Sequence, residues 1–91
     1  MGLGDYLMEQ VQRGDEAAFE QIMRSYGPAL VAFLARQSNS PDLGAELAQE
    51  AFVRLYRKRA DYRPQGNLKA YLFAIGRNLW LDVARSRTSR P

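Results

Sequence analysis

Two short stretches, "QSNSPD" at 37–42 and "DYRPQGN" at 61–67, divide this chain into blocks whose apolar residues recur at three- and four-residue spacing. That spacing stacks side chains on one face of an α-helix, so it fixes the kind of element available before anything else is considered. The first block holds a short segment, "DYLMEQVQR", ended by Gly14. Asp15 is then placed to cap a longer helix with Phe19, Ile22, Met23, Tyr26, Leu30, Phe33 and Leu34 as its core stripe. Gly27 and Pro28 interrupt that stripe. Pro28 removes a backbone bond to Arg24, so a kink or brief break is expected there.

The second block opens with Ser40 as N-cap and Pro41 at the first helical position. Leu47, Ala48, Ala51, Phe52 and Leu55 fall on one face of its helix; Glu46, Gln49, Glu50, Val53 and Arg57 fall on the other. The closing Arg57-Lys58-Arg59 complements the negative end of the helix dipole. The third block starts at Asn67, a good N-cap, and runs to about Arg85. Leu68, Leu72, Ile75, Leu79 and Val83 form its core stripe, with Tyr71, Ala74, Asn78 and Arg85 on one flank and Phe73 and Trp80 on the other. No segment alternates as a strand does, and β-branched residues are scarce. The expected fold is therefore all-α, a compact bundle of about four helices with no sheet.

At 91 residues one domain is expected, large enough to bury roughly 60 to 70% of its unfolded surface without a disulfide or metal. Cysteine and histidine are both absent, which removes thiol nucleophiles, Cys/His zinc sites and imidazole bases. No catalytic residue, metal or cofactor is expected, and the chain reads as a non-enzyme. It shows neither a secretory leader pattern nor the run of about 20 apolar residues needed to span a bilayer, so a cytoplasmic setting without membrane insertion is expected. The net charge of +3 is unevenly spread. Residues 1–53 carry three arginines against eight acids, a balance of −5, and residues 54–91 carry ten bases against Asp61 and Asp82, a balance of +8. A basic half suits a polyanion, and an acidic half suits a basic protein surface.

Three stretches in order, "GDEAAFEQIMRSYGPAL", "AELAQEAFVRLYRK" and "NLKAYLFAIGRNLWLDVARSR", resemble region two of the extracytoplasmic-function (ECF) sigma factors of bacterial RNA polymerase, over roughly residues 14–87. The form "LKAYLFAIGRNLWLD" is most similar to the iron-uptake subgroup. The resemblance implies a domain at 1–87, with 88–91 beginning a linker. It also implies two tasks: holding the clamp helices of the largest subunit of core polymerase, and gripping the non-template strand of the promoter minus-ten element as single-stranded DNA. An anti-sigma factor is a further candidate partner. The family's second DNA-binding domain has no counterpart here, so an isolated domain or truncated chain is expected.

Single-strand binders combine cations with aromatic rings for unstacked bases, and a flipped base needs a snug loop pocket. In the loop before the third block, Tyr62 supplies a π-face, Arg63 a cation, Pro64 stiffness, Gly66 close backbone approach and Asn67 base-edge contacts. The Tyr71, Ala74, Asn78 flank offers a wedge, a small surface and an amide. The resemblance implies that Tyr62 and Asn78 read or clamp an exposed base and that Arg77, Leu81 and Arg85 border the duplex-to-strand junction; Lys69 completes the DNA-binding set. Tyr71 stands where the family commonly has tryptophan. For the polymerase, the resemblance points to Glu46, Gln49, Glu50, Phe52 and Val53, with Tyr56 shared between core rim and contact. Leu43 and Ala45 stand where the family often has acids. Trp80 reads as a packing residue, Asp82 as an internal hydrogen-bond or ion-pair partner, and Arg87 and Arg90 as solvated linker residues. The alternative is a helical nucleic-acid-binding or adapter module, separable by its preference for single-stranded over duplex DNA.

Overall fold

Capping and packing together turn these blocks into helices. The computed structural model describes residues 2–88, in which α1 (Leu3–Gln12), α2 (Glu16–Ser38), α3 (Pro41–Arg57) and α4 (Leu68–Thr88) follow one another, with a 3-10 turn at Arg59–Asp61. No strand occurs among the described residues, as the spacing predicts. Asp15 caps α2 by accepting the Ala18 N–H at 3.2 Å, and Ser40 caps α3 by accepting the Leu43 N–H at 3.2 Å, with Pro41 in the first turn. Between α2 and α3, Asn39 takes the left-handed conformation, φ 54°, which ends α2 and reverses the chain. The first backbone bond of α4 runs from the Tyr71 N–H to the Asn67 carbonyl at 2.9 Å.

Two expectations for α2 need correction. The helix is not broken at Gly27 and Pro28: it runs unbroken from Glu16 to Ser38. Ile22 and Leu30, on either side of the proline, are both fully buried, and their packing offsets the cost of an interior proline, about 3 kcal/mol from the missing backbone bond and the clash of the ring with the preceding turn. Met23, placed in the core by its spacing, is 36% exposed, because it lies at the rim of a groove between α2 and α3.

The core joins Leu7, Met8 and Val11 of α1, Ile22, Leu30 and Leu34 of α2, Leu47, Ala51 and Leu55 of α3, and Leu68, Leu72 and Leu79 of α4. The most extensive packing is between α2 and α3. It depends on Gly44, where an added Cβ would sit 2.5 Å from the Ala35 backbone nitrogen. α4 lies against both α3 and α2, giving a bundle of 46 × 22 × 20 Å. α1 packs on α2 and also reaches the 3-10 turn and α4, which brings the start of the chain beside the 62–67 loop. The expected linker falls almost wholly outside the described residues: α4 continues to Thr88, and Arg90 lies beyond.

Candidate nucleic-acid and protein interfaces

The loop between the 3-10 turn and α4 is tied down from beneath. Tyr62 is 4% exposed; its ring meets Tyr71 edge-on at 5.1 Å, and its hydroxyl donates to Asp5 Oδ1 at 2.5 Å. The other carboxylate oxygen of Asp5 accepts the Gly66 N–H at 2.5 Å. Gly66 has φ +77°, a conformation that favours glycine and lets the backbone turn its N–H inward. From the next turns of α1, the Gln12 amide donates to the carbonyls of Arg59 and Tyr62 at 2.8 and 2.9 Å. Asp5 is itself only 2% exposed, the one buried charged residue among the described core.

Tyr62 therefore does not present a stacking face, and that expectation is corrected: the ring is a wall of the core. An aromatic residue in a polar loop has the same sequence signature whether its ring points out or in, and here Asp5, 57 residues earlier, draws it in. Above it lies a cleft of about 440 Å³ lined by Asp61, Tyr62, Arg63, Gln65, Asn67, Ala70 and Tyr71. Arg63, Asn67 and half-buried Tyr71 thus come together as expected, and Tyr71 rather than Tyr62 offers exposed aromatic surface. An adjoining cleft of about 860 Å³ shares Tyr62, Arg63 and Gln65 and adds Gln12, Arg57 and Arg59, so cations border the loop on this side too. Arg57 and Arg59 belong to the basic helix end whose charge the helix dipole explains only in part. Arg59 also stacks over Tyr56, 4.2 Å from the ring centroid, and donates to its carbonyl at 2.9 Å.

Along α4, Ala74, Asn78 and Arg85 are exposed and continue the Tyr71 flank. Arg85 pairs with Asp82 at 2.5 Å on the exposed surface, so Asp82 has an ion-pair partner one turn on rather than an internal one. Lys69 and Arg77 separate from this set. The Lys69 ammonium sits 5.5 Å from the Phe73 ring, and helical spacing places Lys69, Phe73, Arg77 and Trp80 together on the opposite flank. Phe73 packs on Phe33 at 5.3 Å, and Trp80 is half-buried, in keeping with a packing role. Leu81 is half-buried and Arg87 exposed.

On α3, Glu46, Gln49 and Val53 are exposed and Glu50 half-buried, which gathers the expected protein-binding residues on the outer helix face. Glu50 pairs with Arg54 at 3.6 Å. Phe52, expected both in the core and among the contact residues, is 7% exposed, with its ring set edge-on to Phe19 at 6.4 Å. It also lines a groove of about 380 Å³ between α2 and α3, whose other walls are Phe19, Met23, Gln49, Val53, Tyr56 and Arg57. Tyr56 belongs to both settings, packed on Phe19 at 5.1 Å and lining the groove.

The family described as Sigma-70 region 2 matches residues 22–90. The chain belongs to the sigma-70 region 2 family. Among its relatives, the RNA polymerase sigma-H factor of Pseudomonas aeruginosa is 29% identical over 85 residues, covering 93% of this chain and 44% of that protein. The RNA polymerase sigma factor CarQ of Myxococcus xanthus is 31% identical over 78 residues, covering 86% of this chain and 45% of that protein. The ECF RNA polymerase sigma-E factor of Escherichia coli strain K12 is 28% identical over 85 residues, covering 93% and 44%. The chain thus spans less than half the length of these relatives. No solved structure matches it.

In this region 2 domain, α1 lies before the matched residues, and Asp5 and Gln12 are the site residues that sequence reasoning missed. The available signal was an acid in the first turn of a short amphipathic helix, which the helix dipole alone accounts for. Burial pushes the Tyr62 hydroxyl well above its ordinary value, and the hydrogen bond to Asp5 and the charge of Asp5 push it the same way. The unfolded chain releases this proton near pH 10, whereas the folded domain retains it. The contribution to stability is complete below about pH 10 and is lost as pH rises further. Urea denaturation at stepped alkaline pH is expected to show a decline that Tyr62→Phe makes shallower; equal slopes would mean that the hydroxyl is solvated.

Proposed function

We propose that this region 2 domain is the part of a bacterial transcription initiation factor that binds core RNA polymerase and captures the non-template strand of the minus-ten element as single-stranded DNA. The observation that carries this reading, given the family, is the cleft beside the fixed 62–67 loop. It puts a cation, amide groups and an aromatic edge around a space open to solvent. Stacking on Tyr71 supplies sequence-tolerant attraction, and the amides of Gln65 and Asn67 supply the hydrogen bonds that choose a base. Ala74, Asn78 and Arg85 extend the path along α4. Lys69 and Arg77, on the other flank, serve the strand only where it crosses the helix, at the side toward duplex DNA. The sequence form of α4 supports the iron-uptake-like subgroup. The proposed location is the cytoplasm; among the described residues no helix is long and apolar enough to cross a membrane.

The polymerase contact is proposed for the outer face of α3, where Glu46, Gln49, Glu50 and Val53 combine charge with an exposed apolar centre, Val53 being 37% exposed. The groove lined by Met23 and Tyr56 extends that centre toward α2. Glu50→Lys combined with Gln49→Ala is expected to weaken binding to core polymerase roughly tenfold, about 1.4 kcal/mol, with helicity unchanged. Loss of the exposed Glu50–Arg54 pair is too small an effect to account for this, at about 0.3–0.5 kcal/mol. Polymerase pull-down with titration, alongside circular dichroism, measures both. Undiminished affinity would remove α3 from the interface, and failure of the unaltered chain to bind either polymerase or single-stranded oligonucleotides would defeat the reading as a whole.

A further inference from the structure

Asp5 is out of place as a stability residue alone. Its carboxylate is 2% exposed, no cation pairs with it among the described ion pairs, and both oxygens are spent on the 62–67 loop. One oxygen holds the hydroxyl of Tyr62, a residue that lines the cleft; the other holds the backbone N–H at the loop's left-handed turn. Burying a carboxylate is costly unless hydrogen bonds compensate, and an apolar residue would have filled the same space without that cost. What an apolar residue could not do is hold Tyr62 and Gly66 in a fixed relation. Gln12 adds two bonds from the same helix to the start of the loop.

We propose that Asp5 is a positioning residue of the base cleft: by holding the Tyr62 hydroxyl and the Gly66 N–H together, it sets the 63–67 loop in the one shape that discriminates between bases. The proposal rests on the strand-capture reading above and goes beyond it, since α1 lies outside the residues that the family match covers. The physical basis is preorganisation. A loop already ordered spends none of the binding free energy on ordering, and its hydrogen-bonding groups meet the right base without rearrangement. A loose loop still stacks on any base but hydrogen-bonds each one with similar ease, so release of Asp5 flattens selectivity more than it weakens stacking.

The test compares the 91-residue chain with its Asp5→Asn, Tyr62→Phe and Gln12→Ala forms. Two quantities are read: amide hydrogen exchange, and affinity for single-stranded oligonucleotides that differ at one base. The asparagine amide still accepts from Tyr62 but turns a donor toward the Gly66 N–H, while the phenylalanine removes the other bond. Either change is expected to speed Gly66 exchange and reduce the ratio between preferred and other bases by roughly tenfold, the loss of one hydrogen bond to a charged group. Exchange in the cores of α2 and α3 rises only by the factor that each variant's loss of unfolding free energy sets, and by less than at Gly66. Gln12→Ala, at an exposed position, shifts both quantities in the same direction by less. If Asp5→Asn fails to fold, Tyr62→Phe and Gln12→Ala carry the comparison. The proposal is overturned if the variants keep full selectivity, or if Gly66 exchange accelerates by no more than that of α2 and α3, which would make Asp5 a general stability residue. Those results differ from failure of strand capture itself, in which the unaltered chain shows no base preference and the proposal falls with it.

Discussion

Tyr62→Ala is expected to lower the unfolding free energy by about 3–5 kcal/mol, the range for truncating a large buried ring. The ring is 4% exposed and packed on Tyr71, so its loss leaves a cavity under the loop. It also strips one of two hydrogen-bond partners from a buried carboxylate. Domains of this kind hold about 5–15 kcal/mol in total, so a substantial share of stability goes with one side chain. Urea denaturation followed by circular dichroism measures the change. Tyr62→Phe, which keeps the ring, is expected to cost about 1–3 kcal/mol, the penalty for an unmet hydrogen bond at a buried group. A Tyr62→Ala loss below that range would show that the ring is not part of the core. The same arithmetic disqualifies Tyr62→Ala as a measure of base stacking, because weaker DNA binding would follow from partial unfolding.

Gly44→Ala is expected to destabilise the domain by about 1–3 kcal/mol or more, the range for overpacking, at the high end because the obstruction is backbone. The new methyl would meet the Ala35 nitrogen at 2.5 Å and its Cα at 2.7 Å, and neither is the end of a flexible side chain. Relief requires α3 to move away from α2 along the most extensively packed interface of the bundle. Thermal and urea unfolding should agree on the loss. Stability close to that of the unaltered chain would mean that α2 and α3 do not approach so closely here.

The helices were legible because each carries redundant signals: Asp15 and Ser40 cap where their side chains can reach the first turn, and the apolar spacing of α3 separates its buried and exposed faces residue by residue. Val53, Glu46 and Gln49 emerge on the outer face for the same local reason. Tyr62 was not legible, since its direction is decided by a partner 57 residues away, and no local rule distinguishes a ring that faces in from one that faces out. Asp5 was hidden in the same way, its first-turn position already having a sufficient explanation. Phe52 belongs to both settings its sequence position allows, packed on Phe19 and lining the groove between α2 and α3. Lys69 and Arg77 are different: helical spacing puts them on the flank away from Asn78, whereas Arg77 enters the DNA-binding set through the family resemblance and Lys69 is only added to it. Pro28 shows the converse, where tertiary packing overrides a strong local breaker.

The central claim is that the cleft beside the 62–67 loop holds one unstacked base. Its most direct test is a scan of 2-aminopurine through each position of a single strand carrying a minus-ten sequence, with fluorescence read as the domain is added. The predicted result is a response at one position, reporting a base unstacked from its neighbours and enclosed by protein. Tyr71→Ala is predicted to weaken that complex by about 1–3 kcal/mol, the worth of one base–aromatic stack. No response at any position, or full affinity and an unchanged response in Tyr71→Ala, would contradict the account.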